Sequence, residues 1–270
     1  MKKPGALGLW VIAALVVLAY IPAFDWMINR WSAQDTYYGH GFLVPFISAY
    51  IVWLKRNKLK AIPLNPTGLG WPVLVSGVVI FMLSAVWRVY FSSAFSLLFV
   101  LIGLILLFAG KEHLKTLTFP LTFLLFMIPL PLVAISGISF KLKILASQIS
   151  MVLINMLGVP AIREGSVIKT MHAYVVVEDP CSGIRSLISL IAVGALMAYF
   201  SRLSRVRKTI LFLSSIPIAV ATNVIRITVV SLASEIYGME FATGKFHDFM
   251  GMMVFVLAFL GLMLVANMLE

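Results

Sequence analysis

Residues 141–158 read KLKILASQISMVLINMLG, and whether they cross a membrane or lie on it decides the topology of everything after them. The segment is apolar enough to span. Lys141, Gln148 and Asn155, however, recur every seven residues and so line one side of a helix. A crossing here would reverse every later loop and move Arg202, Arg205, Arg207 and Lys208 to the outer side, against the tendency of basic residues to remain in the cytoplasm. The expectation is an amphipathic helix lying on the outer interface.

On either side, the chain is a series of apolar runs. With 270 residues, 61% of them hydrophobic and 11% charged, and a mean hydropathy of +1.05, it is too apolar for a soluble globule and too short for several large domains. A span needs about 20 mostly apolar residues. Eight stretches qualify: 7–24, 40–54, 68–87, 93–109, 118–138, 182–200, 209–234 and 248–268. The fold class is therefore all-α and polytopic, one integral membrane domain over residues 1–270. Met1-Lys2-Lys3 before an apolar run resembles a signal peptide but lacks a small-x-small cleavage site, so it reads as a retained first helix.

A cytoplasmic N-terminus puts Lys2, Lys3, Lys55, Arg56, Lys58, Lys60, Lys111, Lys115 and the 202–208 cluster inside. That orientation satisfies the positive-inside rule better than its inverse, and it leaves both termini in the cytoplasm. It also accounts for the net charge of +11 without nucleic acid, for which no reader motif is present. Residues 159–179 are then the sizeable outer element, a small hairpin cap in which Glu164-Gly165-Ser166 is a turn and Val167–Thr170 and Tyr174–Val177 are extended.

The chemistry gathers at that outer face. Glu178-Asp179-Pro180-Cys181-Ser182-Gly183-Ile184-Arg185 holds the only cysteine, which excludes an internal disulfide and a Cys-rich metal site. Asp179-Pro180 reads as an N-cap and first helical residue, so Cys181 would sit in a first helical turn, where the helix dipole favours the thiolate. Arg185 would follow at i+4 on the same face. Arg226, in Thr222-Asn223-Val224-Ile225-Arg226, is costly inside a bilayer and so faces the bundle interior, on a polar face shared with Asn223. A structural ion pair with Glu178 or Glu235 is the alternative for Arg226. Among the histidines, His113 is cytoplasmic, and His40, His172 and His247 remain. His247 opens the last span beside Asp248. His40, in Gly39-His40-Gly41, sits at the outer mouth of the second. No HxxxH or HxxE pattern supports a metal site, and no cofactor is expected.

Cys181-Ser182-Gly183-Ile184-Arg185-Ser186, Asn223-x-x-Arg226 and His247 together resemble the exosortase/archaeosortase family of multi-span membrane cysteine transpeptidases. Gly39-His40-Gly41-Phe42 and Phe126-Met127-Ile128-Pro129-Leu130-Pro131 add to the likeness. The resemblance implies Cys181 as nucleophile, with Arg226 and His247 completing the site. It also implies an exported protein substrate in the inner membrane, ending in a short motif such as Pro-Glu-Pro, an apolar helix and a basic tail. Arg185, Asn223, His40, Asp248 and Glu178 are supporting candidates. A thiol acyltransferase acting on membrane lipids and a transporter of anionic solutes through Arg226 and Arg185 are the readings from other classes.

Overall fold

The computed structural model describes residues 5–33, 36–177, 183–243 and 245–270; of Ala6, Ala242, Thr243, Lys245, His247 and Asp248 only the backbone is described. It is mostly helical and divides into two compact units, Met1–Leu130 and Pro131–Glu270.

The first unit comprises α1 (Ala6–Ser32), a 3-10 turn (Gly39–Phe42), α2 (Leu43–Leu54), α3 (Arg56–Ala61), α4 (Gly70–Val86), α5 (Tyr90–Phe108), α6 (Lys111–Phe123) and a second 3-10 turn (Leu124–Met127). Small residues set how closely α4 and α5 approach. A Cβ on Gly103 would stand 2.7 Å from the backbone nitrogen of Leu74, a distance no real side chain tolerates. The Trp31 indole donates to the Met127 carbonyl (2.8 Å), and the Leu130 N–H donates to the Tyr38 hydroxyl (3.1 Å). These bonds fasten the end of the unit to the last turn of α1 and to the residue that opens the turn before α2.

The second unit comprises α7 (Leu132–Met156), strands β1 (Ile162–Glu164), β2 (Val167–Lys169) and β3 (Tyr174–Val176), then α8 (Ile184–Phe200), α9 (Arg205–Tyr237), α10 (Met239–Thr243) and α11 (Lys245–Leu269). Its central element is α9. Ile154 of α7, Ile168 and Val177 of the sheet, and Val224 and Ile227 of α9 form one buried cluster. Leu190 of α8, Leu211 and Ala219 of α9, and Ala258 and Leu262 of α11 form another. At 33 residues α9 is roughly 50 Å long at 1.5 Å per residue, longer than a hydrocarbon core of about 30 Å.

Among the described residues, α1, α5, α7, α9 and α11 are long and apolar enough to cross a membrane, and three shorter apolar helices lie at Gly39–Leu54, Gly70–Val86 and Ile184–Phe200. Seven of the eight expected stretches coincide with these helices, and the fifth does not. The helix expected over 118–138 is broken: α6 ends at Phe123, Ile128 is extended, and a new helix starts after Pro131. Pro129 and Pro131 cause the break, because each lacks an N–H and forces the preceding residue out of helical geometry. The segment 141–158 is accordingly not a separate helix. Its residues up to Met156 are the later part of α7, which runs unbroken for 25 residues. Its polar stripe is nonetheless present: Lys141, Gln148 and Asn155 are exposed, while Ala146, Ser147, Ser150 and Ile154 are buried. The Ser150 hydroxyl donates to the Val224 carbonyl of α9 (3.1 Å).

The cap is a three-stranded antiparallel meander in the order β1-β2-β3 rather than a hairpin. The extra strand arises because the Asn155 side chain grips both backbone groups of Ala161, N–H at 2.8 Å and C=O at 3.0 Å, and starts the chain extended into β1.

Gly103→Ala is expected to destabilise the protein by about 1–3 kcal/mol, as overpacking does, seen as a lower Tm in detergent. Gly137→Ala, where nothing lies within 4 Å of an added Cβ, should leave Tm unchanged or raise it.

Candidate active site

Cys181 and Glu178 lie outside the described residues. What is described is the frame around them. Strand β3 enters the segment from one side through Val177, which is buried in the cluster on α9. Gly183 leaves it on the other side with φ +83°, in the left-handed region. That conformation corrects the expected helix start. A right-handed helix cannot run through a left-handed residue, so α8 begins at Ile184 with Gly183 as its N-cap; the cap expected at Asp179-Pro180 and the helical turn expected at Cys181 lie outside the described residues. Arg185, in the first turn of α8, is exposed.

Gly183 is held by α9. A Cβ there would lie 2.7 Å from Asn223 Cγ, so the buried Asn223 side chain packs directly against the backbone two residues after Cys181. One turn along the same face, Arg226 is 8% exposed. Its Nη2 lies 3.6 Å from where a Gly251 Cβ would be. Gly251 is one helical turn after His247 on α11, and the guanidinium lies within ordinary van der Waals reach of a Cβ built there. Thr222 completes this buried polar stretch, its hydroxyl returned to the Ile218 carbonyl (2.9 Å).

A second contact joins the same elements farther along α9. Val230 of α9 and Met250 of α11 are buried together, with Val175 of β3 and Phe246 of α11 packed against them. The strand leading to Cys181, the helix carrying Arg226 and the backbone around His247 thus share one small core. Of the residues singled out in the sequence, the structure brings Asn223 to the turn after Cys181 and Arg226 to the turn after His247.

The other candidates are engaged elsewhere. His40 belongs to the first unit, where its ring bonds the backbone of Phe126 and stacks on Tyr38 at 5.9 Å. Glu235, weighed above as a partner for Arg226, is taken by the cap: it accepts from the Thr170 hydroxyl (2.6 Å), the His172 N–H (3.0 Å) and His172 Nδ1 (2.7 Å). Sequence reasoning missed this clamp. Its one signal is a carboxylate near the end of a long apolar helix, and such a carboxylate must find donors once its side chain is nearly buried. Among the described residues no group of His, Cys, Asp and Glu could hold a metal ion.

The family model for transmembrane exosortases matches residues 31–264 of the chain. The chain belongs to that family. Comparison with curated proteins and with solved structures gave no match. Membership suggests a membrane transpeptidase, and the several candidate spans agree with a membrane-embedded exosortase.

Gly183→Ala tests the frame without touching a reactive group. A left-handed Ala costs about 1–2 kcal/mol and its Cβ also collides with Asn223. The expected result is a lower Tm and loss of activity, with part of the Tm recovered by adding Asn223→Gly; an unaltered Tm would mean that the turn is not held as described.

Proposed function

We propose that this exosortase is a cysteine endopeptidase and transpeptidase that cleaves C-terminal sorting signals of exported proteins at the outer face of the inner membrane, with both of its own termini cytoplasmic. The substrate ends in a Pro-Glu-Pro-like motif, an apolar helix and a basic tail. The scissile bond then sits just outside the membrane, beside Cys181. What carries this reading is the face of α9, where Asn223 packs on the turn after Cys181 and Arg226 on the turn after His247.

In the proposed reaction the Cys181 thiol gives its proton to His247, and the resulting thiolate attacks the scissile carbonyl carbon. Arg226, permanently charged, stabilises the tetrahedral oxyanion or the thiolate. The C–N bond breaks as His247 returns the proton to the leaving amine, which departs with the helix and tail. A thioester on Cys181 remains, and an amine or water resolves it. Asn223 has a positioning role, because it fixes the turn that follows the nucleophile. Asp248, Glu178 and Glu240 are candidates for orienting His247, while Arg185 supports the thiolate or binds the signal. The reaction needs no cofactor and no nucleic acid.

The test co-expresses the wild type or Cys181→Ala with a tagged reporter carrying motif, helix and tail. Cleavage that requires Cys181, with an acyl adduct on that residue by mass spectrometry, is expected. Cleavage unaffected by Cys181→Ala would rule out thiol catalysis. Arg226→Ala is expected to lower the rate by about 10²–10³-fold, the usual effect of removing an oxyanion donor, with Tm measured alongside.

A further inference from the structure

The cap sheet has two edges, and the parity of its hydrogen bonds distinguishes them. In the β2–β3 ladder the register pairs Lys169 with Tyr174, Ile168 with Val175 and Val167 with Val176. At its two ends the Thr170 N–H donates to the Ala173 carbonyl and the Val177 N–H to the Ser166 carbonyl, both at 2.9 Å. Antiparallel pairs alternate between bonded and non-bonded positions. Ala173, Val175 and Val177 therefore turn their backbone groups toward β2, whereas Tyr174 and Val176 turn theirs to the outer edge.

The same parity on β1 turns Ala161 and Arg163 outward, but both backbone groups of Ala161 are taken by Asn155. The β1 edge is thus partly closed by a side chain that mimics a strand. On the β3 edge, among the described residues, no hydrogen bond reaches the outward N–H or C=O of Tyr174 or Val176. Their side chains are 51% and 43% exposed, while Ile168 and Val177 on the opposite face are 1% exposed. Sheet proteins guard such edges with charge, proline or a bulge. Tyr174-Val175-Val176 has neither charge nor proline, and its register is regular.

The open edge also lies next to the candidate nucleophile in the chain. Cys181 is five residues beyond Val176, at most about 18 Å of extended backbone. We propose that the outer edge of β3 is the docking strand for the substrate: the extended peptide beside the scissile bond adds as a fourth strand, through main-chain hydrogen bonds to Tyr174 and Val176. This rests on the reading of Cys181 as the nucleophile and adds how the substrate is held for it. Binding of this kind reads the backbone first, with side-chain preference coming from alternate positions. Only every second substrate residue then needs a free N–H.

The test uses the purified full-length protein and the reporter. Val176→Pro removes one outward N–H and leaves the ladder to β2 in place. Arg163→Pro makes the same change on the opposite edge and controls for backbone strain. Val176→Pro is expected to raise KM about tenfold, the loss of roughly one hydrogen bond, with kcat within about twofold; Arg163→Pro should leave KM unchanged. A wild-type KM for folded Val176→Pro overturns the proposal. If that variant does not fold, N-methylation along the reporter peptide decides with the wild-type protein. Loss of cleavage at alternate positions supports strand addition, and uniform tolerance overturns it. Binding of the peptide to Cys181→Ala protein, read by fluorescence anisotropy, separates the two claims. Binding without turnover by the wild type defeats the thiol reading alone, while absence of binding defeats the docking strand. A dimer that Val176→Pro dissociates and the peptide does not would assign the edge to a second copy of the chain and overturn the proposal.

Discussion

A permanently charged guanidinium buried among apolar helices constrains the whole second unit. Arg226 is 8% exposed in the middle of α9, and an arginine at such a site costs at least about 2.5–3.5 kcal/mol if it faces lipid. The bundle answers by surrounding it with polar residues and small ones. Thr222 and Asn223 share its turn, and Gly251 of α11 lies against it. Because α9 touches the sheet, α7, α8 and α11, placing Arg226 also constrains the spacing of the elements that approach it.

The cap is held to α7 and α9 by polar contacts at its margins. Asn155 starts β1, Glu235 holds the turn between β2 and β3, and the apolar residues of one sheet face, Ile168 and Val177 among them, fill the space between. A sheet of three-residue strands has little stability of its own. It gains its order from α9, and the residues that flank the segment bearing Cys181, Val177 and Gly183, both pack against that helix. The left-handed Gly183, which has no Cβ, lets Asn223 reach the backbone.

The amino-acid sequence by itself determined that the chain is a membrane protein, where seven of its eight apolar helices lie, and which of its residues resemble an exosortase site. Those features depend on composition, on local runs of about 20 residues and on motif order, and none of them needs a partner in space. The sequence also contained the two prolines that break the fifth stretch, but run-length reasoning gave them less weight than the apolar residues around them. Tertiary structure alone decided that α7 continues from Leu132, because a helix boundary follows from backbone geometry rather than from hydropathy. It alone decided that α8 starts after Gly183 and that Glu235 serves the cap. It also brought Asn223 to Gly183 and Arg226 to Gly251, since contacts between residues tens of positions apart depend on how helices cross, which no local pattern encodes.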